Sequence, residues 1–349
     1  MSSEAIVVAN GIALLRGGAS LIVPGVPPAA AAVGYYTKTW DTTVLGSTTG
    51  TWQAFDFYGV VPDADYASQN GDGSIFLPGN DASGYGATIC SAVHQGSDNP
   101  NWTGATFGGG AYFEMIATFT GQGTGPYNNG GPAFWALDVE HTSQSSDYTV
   151  TWSTAGSVPW NSGTAYTVGA CVSSGGNFYF CIANNTNEEP PNATYWLIST
   201  SYNDFFEVDF MEYDCGTEYS YQNGIGNHYG SGQGTANPVM EWDSVAGSIL
   251  VPSGTDFTQQ HKYGCLWVPA TATSQGYLKF YFDDVQVGTT FVWNQYSALT
   301  LPPPVNNSTA MAGMDNRHMM LIMGTGTDQP MTVYRTAVWQ PSAANNLVI

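Results

Sequence analysis

Along this chain the apolar positions alternate with polar ones over short runs, and helical spacing is hard to find anywhere. AYFEMIATF (111–119) and YLKFYF (277–282) carry the period of two that half-buried strands need. NGDGSIFL (70–77) and MTVYRTAVW (331–339) are similar short runs, and Gly, Asn, Asp and Pro clusters punctuate the intervals. Regularly spaced short strands of this kind predict an all-β protein, a two-sheet antiparallel jelly-roll sandwich. The pattern starts at Tyr35. Residues 1–33 read as an N-terminal arm that ends in the linker VPGVPPAAAAVG.

One segment breaks the rhythm. Residues 150–200 carry their own Trp, Tyr, Gly and Pro punctuation and read as a compact inserted module of about three strands. The chain therefore divides into the arm (1–33), a first part of the jelly roll (34–149), the insert (150–200) and a second part (201–349). The turn SSGGN, centred on Gly176, places Cys171 opposite Cys181 across a hairpin. The pair is either a disulfide, which would help so small a module, or two small buried residues.

Composition sharpens this picture. Only 9% of the residues are charged and 42 are Gly, a balance that favours turns and strands over helices. The net charge of −21, from 27 acidic and 6 basic side chains, would repel a phosphate backbone or an anionic bilayer, so neither nucleic acid nor membrane is expected as a partner. No apolar run reaches the length of a membrane span. Glu4 stands where a secretory signal would carry Lys or Arg, so no signal peptide is expected. The five cysteines form no CxxC or Cys/His cluster, so no metal site is predicted.

Against this sparsely charged background, FFEVDFMEYD (205–214) holds four acidic residues in ten positions. Glu207 and Asp209 share a strand face, whereas Glu212 on a regular strand would face the other way. A β-bulge near Phe210–Met211 would return Glu212 to the face of the other two and send Val208, Phe210 and Met211 into the core. Clustered carboxylates repel one another, so at least one should bind its proton more tightly than usual. A retaining glycosidase has a use for such a row: one carboxylate as nucleophile and one as protonated acid, about 5–5.5 Å apart. A third carboxylate between them can tune both. A calcium site or a solvated acidic strand are the alternatives on spacing alone.

E-x-D-x-x-E on a bulged strand resembles the catalytic motif of glycoside hydrolase family 16, the laminarinase, lichenase and agarase group. Further stretches are similar in the same order: AYFEMIATF, GGPAFWALD (130–138), NHYG (227–230), HKYGCLWVP (261–269), LKFYFDDVQV (278–287) and MTVYRTAVWQ (331–340). The resemblance implies a concave glycan-binding face with Glu207 as nucleophile, Asp209 as helper and Glu212 as acid/base. It further implies Trp135 and His228 lining the cleft near the cut bond. By their surroundings alone, the alternative readings are a core residue for Trp135 and a surface-loop residue for His228. Asn203-Asp204-Phe205-Phe206 replace the Trp-Pro and Gly usual before the acids. Tyr334 stands where an aspartate often helps hold a structural calcium. No cofactor is implied beyond such a calcium.

The insert is similar to the small carbohydrate-binding modules of families 5 and 12 through Trp160, Tyr166, Gly169, Val172, Gly176, Tyr179, Cys181, Pro190 and Trp196. Relatives of that module occur in phage tail and fibre proteins. The exposed Trp pair of those modules is replaced by Ile182-Ala183-Asn184-Asn185. Together these resemblances imply an endo-acting, retaining hydrolase of a β-linked polysaccharide, a β-glucan or galactan, and the acidic surface favours an uncharged polymer over a sulfated or uronic one. The expected lack of a signal peptide, the apolar arm and the insert's resemblance together point to a virion or extracellular location, as in a phage depolymerase, with residues 1–33 contacting other virion proteins. A non-catalytic glycan-binding or structural virion protein on the same fold is the alternative.

Overall fold

The computed structural model describes residues 7–9, 12–14, 25–54, 67–79, 87–94, 102–119, 132–139, 158–166, 171–181, 183–198, 203–213, 220–230, 239–242, 249–252, 254–294, 313–325, 330–344 and 346. Two antiparallel sheets dominate. The first runs in the order Val239–Trp242, Ser220–Gly230, Asn203–Glu212, Ala133–Asp138, His318–Gly324, Thr88–Cys90 and Gln53–Ala54. The second runs Val285–Trp293, Gly276–Phe282, His261–Val268, Ala111–Phe119, Met331–Gln340, Ile75–Leu77 and Ser68–Gln69. Consecutive strands pair at one end of each sheet, while in the middle sequence-distant strands lie side by side, as in the jelly-roll sandwich that the alternating pattern predicts.

The alternation explains which face each strand turns inward. On Gly276–Phe282, Leu278, Phe280 and Phe282 are buried while Tyr277, Lys279 and Tyr281 are only half-buried on the outer side. The inward residues of both sheets meet in one continuous core, which includes Phe113, Met115, Phe134, Val208, Phe210, Met211, Trp267, Phe280 and Leu321. Phe210 stacks on Phe113 with ring centroids 5.0 Å apart and meets Phe134 edge-on at 4.7 Å, which ties the two sheets together directly beneath the acidic strand.

Part of the stretch read as linker is helical instead. Pro28–Ala32 form a short helix with Pro at its first position, where the missing N–H costs nothing. Ala30 is fully buried against the outer side of the second sheet, in a cluster with Tyr35, Tyr112, Leu266 and Trp339. The alanines suit this because a small side chain lets the helix backbone approach the sheet.

Within 150–200 the described residues form a four-stranded sheet of Val158–Pro159, Cys171–Ser174, Asn177–Cys181 and Trp196–Ile198, and a strand pair Ala165–Tyr166 with Asn185–Thr186. Tyr166, Val172, Tyr179, Cys181 and Trp196 pack into a core separate from that of the sandwich. Most residues that carry the insert's resemblance are therefore core-formers.

The expected opposition of Cys171 and Cys181 is not found. The hairpin closes through a two-residue turn, Gly175-Gly176, with both φ angles positive (58° and 78°), so that Cys171 pairs with Phe180 and Cys181 pairs with Trp196. Positive φ at both positions is what a type I′ turn demands and what glycine supplies without strain. A shift of one residue changes every cross-strand partner, so the two cysteines do not oppose each other. Cys181 is a free, buried thiol that donates to the Ala183 carbonyl at 3.2 Å and accepts from Asn185 Nδ2 at 3.4 Å. Burial pushes its pKa up to about 11.

Candidate active site

The acidic strand Asn203–Glu212 lies between Ala133–Asp138 and Ser220–Gly230. Opposite residues in an antiparallel pair share a face. Leu137 lies opposite Glu207, Trp135 opposite Asp209, and Ala133 opposite Glu212. The register slips between Phe134 and Trp135, where Phe210 is the extra residue, and the pairing with the other neighbour slips between Asp209 and Glu212. The bulge thus falls where the spacing of two then three residues requires it. Val208, Phe210 and Met211 are buried in the core beneath it. All three carboxylates consequently share the outer face of the first sheet.

Glu207 and Asp209 are buried there, at 8% and 5% exposure, and Glu212 is half-buried. Removal from water, and then the charges of Glu207 and Glu212 on either side, push the Asp209 carboxyl well above the usual carboxylate range. The centre of the row therefore keeps its proton more firmly than an isolated aspartate would. One neutral acid set between two others can donate a hydrogen bond to a carboxylate beside it, which an ionised aspartate cannot do.

The flanks of the row differ. On one side Ala133, Trp135, Leu137, Met320, Ile322 and Cys90 form an apolar floor. Trp135 reaches across the next strand: a Cβ placed on Gly324 would lie 3.1 Å from its Cη2 atom. Glycine at 324 leaves the room that the indole occupies. On the other side the residues opposite Glu207 and Asp209 are Gly226 and Gly224. Glycine has no side chain, so neither position sets one directly opposite the two acids. The alternation G-I-G at 224–226 is the sequence signal that could have revealed this gap, and motif reasoning passed over it.

Of the residues predicted for the site, Glu207, Asp209, Glu212 and Trp135 come together on one face. His228 lies at register with Phe205, beyond Glu207, on the strand Ser220–Gly230, and its side chain is outside the described residues. Among the described residues no group of three or more His, Cys, Asp or Glu side chains is arranged to hold a metal ion, and no calcium is assigned. No helix among them is long and apolar enough to cross a membrane.

No protein-family model matches the chain, and no curated protein matches it. Several solved structures are similar in arrangement. A laminarinase from Rhodothermus marinus shares 10% identity, with 87% of this chain and 96% of that one covered at a TM-score of 0.37. LamA from Z. galactanivorans, in complex with laminaritriose and laminaritetraose, shares 11%, with 88% and 100% covered and a TM-score of 0.42. The seed lectin of Lotus tetragonolobus shares 11%, with 86% and 97% covered and a TM-score of 0.34. At such identities and scores these likenesses add nothing about chemistry, since hydrolases and a lectin stand side by side among them.

Proposed function

We propose that the chain is an endo-acting, retaining glycoside hydrolase of an uncharged β-linked polysaccharide, a β-glucan or galactan. The observation that carries this is the bulged strand that brings Glu207, Asp209 and Glu212 onto one largely buried face beside an apolar floor. In this reading Glu207 attacks the anomeric carbon while Glu212 protonates the departing oxygen. Glu212 then takes a proton from the water that releases the sugar from the Glu207 ester. Asp209, neutral at its buried position, donates to Glu207 and keeps that carboxylate ionised for attack. Trp135 offers an apolar ring for a sugar face. The gap over Gly224 and Gly226 gives the pyranose room beside the acids. A virion or extracellular setting, with residues 1–33 meeting other virion proteins, is the part of the proposal supported by the resemblance of the insert alone.

Azide on a substrate with a good leaving group provides the test. Glu207→Ala and Glu212→Ala should each lower turnover by about 10²–10⁴-fold or more. With Glu212→Ala the glycosyl-enzyme still forms, and azide should intercept it to give the β-glycosyl azide. With Glu207→Ala azide must enter from the vacated face and give the α-azide. NMR of the products distinguishes them. Near-wild-type activity in both variants would remove the acidic row from catalysis. A wild-type protein that binds β-glycans but releases no reducing sugar from any of them would favour the non-catalytic reading.

A further inference from the structure

Beneath the acidic row, on the core side of the sheet, lies a buried ion pair that the proposed chemistry does not use. Asp138 is fully buried at the end of strand Ala133–Asp138, and Arg317, exposed by only 1%, precedes strand His318–Gly324. Arg317 Nη1 lies 3.7 Å from Asp138 Oδ2. The other oxygen, Oδ1, accepts the backbone N–H of Phe206 at 2.9 Å. The Arg317 guanidinium also sits 5.8 Å from the centre of the Phe206 ring.

This contact falls where regular pairing stops. The register between the two strands ends at Leu137 opposite Glu207, whereas on the other side the pairing with strand His318–Gly324 runs on, Val139 N–H donating to the His318 carbonyl at 3.0 Å. The Phe206 N–H would otherwise lose a partner in a buried place. Asp138 supplies the missing acceptor through its side chain, one peptide from the proposed nucleophile. A charged acceptor makes a stronger bond than a carbonyl does, and Arg317 holds its orientation.

We propose that Asp138, held by Arg317, is a positioning residue: it anchors the Phe206–Glu207 peptide and so fixes the direction in which Glu207 leaves the sheet. This rests on the assignment of Glu207 as nucleophile. Asp138 touches no substrate. Its influence runs through the backbone, and the neighbouring cation prevents the carboxylate from turning away.

Removing one member of a buried pair strands the other, so the informative variants change both. Asp138→Asn with Arg317→Met retains an oxygen acceptor for Phe206 N–H and has no net buried charge. Asp138→Leu with Arg317→Met fills the same space without an acceptor. Both are compared in the full chain by kcat and KM on a soluble β-glucan, and by amide hydrogen exchange resolved to Phe206. The Asn form should protect Phe206 N–H and keep kcat near the wild-type value. The Leu form should lose that protection and fall by about 10²-fold in kcat at unchanged KM, as expected for a slightly misplaced reacting group. Equal exchange in the two forms would overturn the anchor, and unequal exchange with equal kcat would overturn its positioning role. If the wild type cleaves no β-glycan, the function proposed above fails, and the exchange comparison alone decides whether Asp138 holds the strand.

Discussion

At the scale of single residues, carboxylates in this protein are distinguished by what surrounds them. Asp209 is pushed up by burial and by its two acidic neighbours, Glu207 and Glu212. Asp315 is also buried, yet it accepts from Trp293 Nε1 at 2.8 Å, Ala270 N at 2.9 Å and Trp267 Nε1 at 3.1 Å. Burial still dominates and raises it to about 6, while these three donors work against the rise. The consequence for stability has a definite sign. Between the ordinary value of 3.8 and about 6, the folded chain holds a proton on Asp315 that the unfolded chain has released. Its contribution is therefore fullest below that window and is lost as pH rises through it, by on the order of 3 kcal/mol. Replacement by Leu should lower stability at every pH, because three N–H donors lose their acceptor. The gap between wild type and Asp315→Leu should narrow as pH rises through the window. Urea unfolding at a series of pH values reads this directly, and a gap that widens would show that Asp315 stays ionised in the fold.

At the scale of elements, the strand Asn203–Glu212 was legible because its pattern can be satisfied in only one way. Two acids two apart and a third three further on share a face only if one residue is extra, and the apolar Phe210 and Met211 make the core the place to bury it. The neighbouring strand was less legible. Gly224 and Gly226 have significance only once register places them opposite Asp209 and Glu207. Gly226→Val tests that significance, since valine suits a strand and should leave the fold intact. The expected outcome is loss of kcat/KM on polymer, with unfolding by urea little changed. Wild-type kinetics in this variant would show that the gap beside Glu207 receives no sugar. The hairpin of the insert failed for the same kind of reason. Whether its loop holds two residues or three decides the face of every side chain beyond it. The Gly-Gly pair did carry the answer, as the usual chemistry of a two-residue type I′ turn.

At the scale of the whole molecule, part of the segment expected to be an N-terminal arm belongs to the packing. Helix Pro28–Ala32 covers Tyr112, Leu266 and Trp339 on the second sheet. Removing residues 1–24 should leave that cover in place. Removing residues 1–33 should uncover it and cost roughly 2 kcal/mol, the scale of one buried aliphatic side chain. Unfolding curves of the two truncated chains provide the comparison, and identical stabilities would show that the helix is only loosely seated. The same contrast marks what each level of description decides. Alternation, turn residues and sparse charge were sufficient by themselves for two antiparallel sheets and for an acidic row on a bulged strand, because those features follow from local periodicity. Which residues oppose one another was decided only by the tertiary structure. The glycines beside the acids, the indole over Gly324, the helix laid across the second sheet and the Asp138–Arg317 pair under Phe206 all join segments far apart in the chain. Such contacts depend on register and sheet order, and no local pattern of apolar and polar residues encodes either.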